Sequence, residues 1–188
     1  AVDEAKKHGT FVAAHAHGAE GIKRAVRAGV RSIEHGSLMD DESIALMKQY
    51  GTWLDADIYN GDYIDTVGRA DGWSEEILRK NLETPDAQRQ GFRKAVKAGV
   101  NISYGTYSGV YPHGDNARQF AYMVKYGMTP LQAIRSATIG SATLLGKEKE
   151  LGSIAVGKFA DLVALECDPL RDVECLRKVW GVVKAGQP

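Results

Sequence analysis

The chain has 188 residues, enough for one sizeable domain with a buried core. Its 24 Lys and Arg residues balance 24 Asp and Glu residues, so no net field favours nucleic acid or an anionic membrane as a partner. No apolar run reaches the roughly 18 to 20 residues of a membrane span, and the first residues lack a signal-peptide pattern. Cys167 and Cys175 match no CxxC pattern, which predicts neither a disulfide framework nor a zinc knuckle and favours a reducing, cytoplasmic setting.

A helical stretch that ends on glycine and leads into a short apolar strand occurs four times. The strand segments are TFVAAHAHG (10–18), VRSIEHG (30–36), TWLDADIY (52–59) and VNISYGT (100–106). Glycine supplies the left-handed helix cap, and the residues that follow are rich in β-branched and aromatic side chains. Helices that alternate with apolar strands predict an α/β fold with four parallel strands covered by helices.

Two features are expected between the third and fourth strands. Residues 60–73, NGDYIDTVGRADGW, predict a long polar loop that could act as a lid over a substrate. Pro85 is expected to divide the following helical region into two helices, because proline cannot continue a helix interior.

The remainder of the chain changes in character. Two helical segments are predicted at 115–127 and 129–146, the second beginning at Thr129 as N-cap with a proline in its first turn. From Leu151 onward, short strands separated by glycines predict a small β element. We therefore expect one domain over 1–150 and a β remnant over 151–188.

Polar side chains lie at or just beyond the predicted carboxyl ends of the strands, the edge at which parallel barrels place their catalytic groups. In chain order they are His15, His17, Glu34, His35, Asp55, Asp57, Tyr59, Tyr107, Ser108 and His113. The fifth histidine, His8, lies near a helix end and is expected to be a surface residue.

Imidazoles that converge from neighbouring strands suit zinc. His15 and His17 could face the same side if the first strand runs through Gly18. We expect instead that the strand ends at His15 and that His17 lies in the following loop, where it can contact substrate. The alternative for both is a structural role in which backbone groups satisfy the rings.

The acidic residues at the strand ends allow several interpretations. Glu34 could orient His35 or pair with a basic side chain between helix and sheet. Asp55 and Asp57 are two residues apart and would share one face of a strand, a costly burial unless they are paired or face solvent.

Three segments resemble the amidohydrolase superfamily, in the branch of imidazolonepropionase and of Xaa-Pro or Xaa-Arg dipeptidase-like enzymes. VAAHAHGAEGIKRAVRAGVRSIEHGSLMDDESIALMK resembles strands five and six, and GTYSGVYPHGDNARQF is similar to strand eight with its loop. LGSIAVGKFADLVALECDPL is similar to the return into the flanking β-sandwich. The resemblance covers almost the whole chain and implies the C-terminal half of a (β/α)8 TIM-like barrel with a small β element.

The same resemblance implies one or two divalent metals, usually zinc, that activate water for attack on a small amide, dipeptide or ester. His15 would be the ligand from strand five and His35 the ligand from strand six. The candidate substrate-binding residues are His17, Tyr59, Ser108 and His113. Tyr107 stands where the family has the strand-eight aspartate that accepts the proton of the water, so Tyr107 and His113 are the candidate catalytic residues.

Two departures from the family pattern bear on activity. The chain has no counterpart of the His-x-His of strand one or of the strand-four ligand, and two histidines leave zinc short of the three protein ligands expected for catalysis. Tyr107 carries a phenol that is protonated at neutral pH and is a poor base. Two alternatives therefore remain: a binding remnant without catalysis, or metal-independent hydrolysis with Tyr107, Ser108 and His113.

A four-stranded half barrel would have two unpaired edge strands and an uncovered concave face, which we expect to be apolar. A homodimer or a complementing N-terminal half would cover them. In a symmetric dimer, two copies each of His15 and His35 would ring one cavity and could rebuild a metal site.

Overall fold

The computed structural model describes all 188 residues, and its centre is a four-stranded parallel sheet. The strands pair in chain order: β1 (Ala13–Gly18), β2 (Ser32–Leu38), β3 (Trp53–Ala56) and β4 (Ile102–Tyr104). The prediction of four parallel strands in an α/β fold is thereby confirmed. Since neighbouring strands point the same way, the carboxyl ends of all four lie at one edge of the sheet.

Helices precede and follow these strands as the sequence predicts. They are α1 (Val2–Lys7), α2 (Ala19–Arg27), α3 (Asp41–Tyr50), α4 (Asn60–Tyr63), α5 (Glu75–Glu83), α6 (Pro85–Ala98), α7 (Gln119–Lys125), α8 (Pro130–Arg135) and α9 (Ser141–Leu144). Helix α6 ends on Gly99 in the left-handed conformation, with φ of 74°. Helix α8 begins at a capping box in which Thr129 and Gln132 bond each other's backbone. No helix is long and apolar enough to cross a membrane.

The prediction of a polar loop over residues 60–73 is wrong for most of that segment. Helix α4 runs directly into a π-helical turn, Ile64–Gly68. The segment is helical because it packs on the next helices: Asn81 Nδ2 of α5 donates to the Gly61 carbonyl (2.8 Å), and a Cβ on Gly61 would lie 2.7 Å from Pro85 Cγ. Pro85 begins α6 directly after α5, as predicted.

The hydrophobic core lies between one face of the sheet and the helices. Ile33, Leu54 and Ile102 occupy adjacent strands and are buried in a cluster with residues of α2, α3 and α6. Burial of each such side chain is worth about 1.5–3 kcal/mol. The core of this chain therefore lies outside the sheet, on its helical side.

The opposite face of the sheet carries several polar and charged side chains beside Trp53, and the expectation of an apolar concave face is wrong. Glu34, Asp55 and Ser103 are aligned across β2, β3 and β4. Ser32 Oγ donates to Glu34 Oε1 (2.6 Å), and Ser103 Oγ donates to Asp55 Oδ2 (3.1 Å). Burial, together with the charge of Glu34, raises the pKa of Asp55 to about 6. Gly105 leaves room for this carboxyl, because a Cβ there would lie 1.5 Å from Asp55 Oδ1.

The predicted small β element is an antiparallel pair, β5 (Leu162–Leu165) with β6 (Val179–Val183). The 3-10 turn Val173–Arg177 attaches it to α7. Cys167 and Cys175 form a disulfide with Cα atoms 5.6 Å apart, so the prediction that they stay unpaired is wrong. The connection between β5 and β6 brings the two cysteines together, and their spacing in the sequence alone does not indicate this. The cysteines therefore give no support to a reducing setting.

Candidate functional site

Strand β1 places two histidines on one side of the sheet edge. The strand continues through Gly18, so the expectation that it ends at His15 is wrong. Residues two apart on a strand share a face, and the rings of His15 and His17 lie 4.7 Å apart between centroids. Both residues are exposed.

Strand β2 adds a third imidazole through an irregularity at its end. His35 and Gly36 both have positive φ, 74° and 60°, and the pairing register with β1 shifts between Ala16 and Gly18. A side chain on Gly36 would be strained and would place its Cβ 2.8 Å from Leu54 Cδ1, so glycine permits this backbone. The left-handed conformation at His35 is uncommon outside glycine and concentrates at functional sites.

The irregularity turns the His35 ring toward β1. Its centroid lies 4.5 Å from that of His15 and 4.8 Å from that of His17. One ring nitrogen from each of the three histidines lies within 4.8 Å of the other two. We refer to His15, His17 and His35 as the histidine cluster.

A buried carboxylate lies directly behind the cluster. His35 Nδ1 donates to Asp57 Oδ2 (3.0 Å), and both side chains are almost completely buried. Asn60 Nδ2 donates to the same oxygen (2.7 Å), while Gln88 Nε2 of α6 donates to Oδ1 (2.8 Å). Three donors therefore fix Asp57 and, through it, the ring of His35.

The electrostatic surroundings of the histidines differ. Burial alone would lower the pKa of His35, but the hydrogen bond and charge of Asp57 outweigh it and raise that pKa. Partial desolvation of the ring inside the cluster, together with the two neighbouring imidazoles, lowers the pKa of His17, whose Nδ1 lies 2.8 Å from Ser37 Oγ. A neutral His17 ring has a nitrogen lone pair that can bind a metal ion. The negative carboxylates around His35 favour a positive charge at that ring, whether a proton or a metal ion.

Tyr107 joins this group from the loop after β4. Its ring packs edge-on against His35 with centroids 4.7 Å apart, and half of the side chain is exposed. The backbone of Tyr107 is also left-handed, with φ of 54°, a conformation that Asp and Asn tolerate far better than an aromatic residue.

The other predicted site residues lie apart from the histidine cluster. Ser108 Oγ accepts from Asn116 Nδ2 (2.7 Å), which holds its loop together. Tyr59 is buried and packs against the rings of Tyr111 and Tyr122. His113 is exposed, and His8 is a surface residue as expected. Glu34 bonds Ser32 and does not orient His35, whose partner is Asp57.

A cavity of about 260 Å³ opens beside the cluster. Its polar lining includes His17, His35, Asp57, Asn60, Lys80, Asn81, Gln88 and Tyr107. Sequence reasoning missed Ser37, Asn60 and Gln88, since a polar residue whose only role is to bond a site side chain carries no local signal. A second cavity of about 270 Å³ lies near Trp53, Asn101 and Arg135 and contains none of the predicted site residues.

Parallel strands with imidazoles at their carboxyl ends are typical of α/β proteins whose chemistry lies at that edge of the sheet. The sequence profile of the amidohydrolase family matches residues 1–188. The chain belongs to the amidohydrolase family, and the resemblance stated from the sequence is confirmed.

Relatives of known structure or activity agree with this assignment. Ochratoxinase of Aspergillus niger is 35% identical over 179 residues, which are 94% of this chain and 37% of that protein. The crystal structure of a Xaa-Pro dipeptidase with methionine in its active site is 45% identical with a TM-score of 0.93, covering 99% of this chain and 46% of the other. A prolidase complexed with N-methylphosphonate-L-proline is 32% identical with a TM-score of 0.91 over 98% and 46%. The chain spans less than half the length of each of these relatives.

Proposed function

We propose that this chain is the C-terminal half of a metal-dependent amidohydrolase that cleaves small amides, dipeptides or esters. The observation that carries the proposal is the pairing of His15 and His35 at the ends of adjacent strands, with Asp57 buried behind His35. A carboxylate that accepts from the second nitrogen of a histidine is the usual support for a metal-ligating ring. The similarity to a Xaa-Pro dipeptidase favours dipeptides among these substrates.

We further propose that the parallel sheet is half of a (β/α)8 TIM-like barrel, formed by residues 1–150, with residues 151–188 belonging to a flanking β-sandwich. Strand β1 pairs only with β2, and its outer edge is unpaired. Several apolar side chains of the C-terminal element are exposed, among them Phe159, Val163, Trp180 and Val182. An apolar patch of this kind marks a surface that another segment covers. A complementing N-terminal half is the partner that fits both features.

The donor set in this chain fits zinc. His15 and His35 would hold the ion, and imidazole nitrogen is a preferred zinc ligand. When bound, such an ion polarises a carbonyl and activates water. The protein's own part is to hold the two rings: Asp57 fixes the Nδ1 proton on His35, and Asn60 and Gln88 fix Asp57.

The remaining candidate residues would act on the substrate. The cavity beside the histidine cluster is large enough for an amino-acid side chain, and Lys80 and Asn81 of α5 and Gln88 of α6 belong to its lining. In this proposal His17 and the loop that carries Ser108 and His113 border the substrate, and Tyr59 shapes the loop from beneath.

Tyr107 supports a second candidate function, binding without turnover. Its ring covers the edge of His35 at the position where the family has its strand-eight aspartate, so no carboxylate from β4 can take a proton from water. The third candidate, metal-independent hydrolysis, receives less support, because the side-chain partners of Ser108 are Asn116 and Thr106 and do not include His113.

Fragment complementation tests the proposal. The chain is combined with an N-terminal segment that carries the first four βα units of a dipeptidase relative, loaded with zinc, and assayed with Xaa-Pro dipeptides. We expect hydrolysis by the Tyr107→Asp form that is lost in Tyr107→Asp/His35→Ala. A complex that assembles and binds zinc but hydrolyses nothing even with Asp at position 107 would contradict the hydrolase proposal and leave binding without turnover.

A further inference from the structure

We propose that His15, His17 and His35 form a three-nitrogen site for a divalent transition-metal ion that is complete within these 188 residues. The inference rests on the proposed metal role of His15 and His35 and adds His17 as the third protein ligand. It reassigns His17 from contact with substrate to contact with the metal whenever ligands from other strands are absent.

The distances within the histidine cluster allow one ion to reach all three rings. Ligand nitrogens around zinc at about 2.0–2.1 Å are roughly 3.3 Å apart in a tetrahedral arrangement. The three ring nitrogens already lie within 4.8 Å of one another. Because the His15 side chain is exposed, its rotation can bring its nitrogen closer to the other two while hydrogen bonds to Ser37 and Asp57 hold His17 and His35.

The hydrogen bonds of the cluster direct the free nitrogens. Nδ1 of His35 is engaged by Asp57 and Nδ1 of His17 by Ser37, which leaves Nε2 of both rings without a side-chain partner. Metal-ligating histidines almost always have their second nitrogen bonded to a carboxylate, carbonyl or water. Two of the three proposed ligands therefore have outer partners in place before any metal binds.

The backbone explains why His17 belongs with the other two. Strand β1 continues beyond His15, so His17 shares its face, and the left-handed pair at His35 and Gly36 brings the β2 ring across to meet them. A strand that ended at His15 would have released His17 into a loop. Three protein ligands with one open position are the composition of a catalytic zinc site.

Metal titration of the chain on its own tests the inference. The protein is stripped with chelator and titrated with Zn²⁺ by calorimetry and with Co²⁺ by absorption, whose d–d bands report coordination number. We expect one ion per chain and a four-coordinate cobalt spectrum. His17→Ala should weaken zinc binding by at least about tenfold, and His15→Ala and His35→Ala should do the same. His8→Ala, which alters a surface histidine outside the cluster, should leave the affinity unchanged.

Each contrary result has a distinct meaning. Unchanged zinc affinity in a folded His17→Ala variant would overturn the role of His17 and leave the two-ligand assignment of the proposed function intact. One ion per two chains would overturn the self-contained site in favour of a shared one. Absence of stoichiometric metal in the unmodified chain would overturn the inference, while fragment complementation would still decide the proposed function. Paramagnetic shifts of the His17 ring in the cobalt form provide a second readout that does not depend on a variant.

Discussion

Replacement of Tyr107 by aspartate should raise metal affinity with little effect on stability. An ordinary residue in the left-handed conformation costs about 1–2 kcal/mol, and aspartate costs less, so the φ of 54° at this position favours the variant. Loss of the edge-on contact with His35 removes about 0.5–1.5 kcal/mol, and the lower end applies because half of the tyrosine side chain is exposed. The two effects nearly cancel, and the free energy of unfolding should change by less than about 1 kcal/mol.

The effect on metal binding should be larger. The carboxylate of Tyr107→Asp would enter the space beside His35 that the phenol ring now occupies, and it supplies a negatively charged oxygen ligand. We expect zinc affinity to rise at least about tenfold, equivalent to about 1.4 kcal/mol. Competition with a chromophoric chelator measures the affinity, and urea denaturation of the metal-free protein measures stability.

Tyr107→Asn is the matched control. Asparagine has nearly the same size and the same tolerance of left-handed backbone, but it brings no charge. Any gain that comes only from removing the tyrosine ring will appear equally in both variants. Equal zinc affinity of the Asp and Asn variants would refute the reasoning that position 107 faces the metal site.

Three further predictions concern the sheet and the C-terminal element. Burial raises the pKa of Asp55 to about 6 in the folded chain, against about 3.9 in the unfolded chain. Because the folded state binds this proton more tightly, stability is lost as pH rises from about 3.9 to about 6. At pH 8, Asp55→Asn should therefore be more stable than the unmodified chain by up to about 3 kcal/mol, and by less in proportion to the solvent exposure of the carboxyl. At pH 3.5 it should show no gain. An equal difference between the two proteins in urea unfolding at both pH values would refute this. Gly105→Ala should destabilise the chain by about 1–3 kcal/mol because its Cβ would lie 1.5 Å from Asp55 Oδ1, and thermal unfolding should show partial recovery in Gly105→Ala/Asp55→Ala. The Cys167–Cys175 disulfide closes a short loop with a sequence separation of 8, and its reduction should lower the free energy of unfolding by about 2–3 kcal/mol. Limited proteolysis near β5 and β6 should then become faster. Identical proteolysis with and without reductant would contradict this prediction.

The sequence allowed the sheet to be predicted because each strand has a local signal. A glycine-capped helix precedes β1, β2, β3 and β4, and that pattern needs no knowledge of distant residues. The histidines could be placed at the strand ends for the same reason. The end of β1 was misplaced by a few residues, and that small error decided whether His17 belongs to a loop or to the histidine cluster.

The features that could not be predicted depend on residues distant in sequence. The partner of His35 is Asp57, 22 residues later, and it becomes available only because β3 ends at Ala56. Gln88 reaches Asp57 from a helix 31 residues further along. Likewise, the helical segment after β3 is helical because it packs on Pro85, whereas its own composition is that of a loop.

The distribution of polar groups indicates which surfaces a partner would cover. The core lies between the sheet and its helices, so the other face of the sheet needs no apolar cover, and its Glu34 and Asp55 would resist burial against a hydrophobic surface. The features left open are the outer edges of β1 and β4, which pair with no further strand, and the apolar surface around Trp180. A partner should therefore pair with the backbones of β1 and β4 and pack on the β5–β6 element. It should leave the histidine cluster accessible at the open end of the sheet.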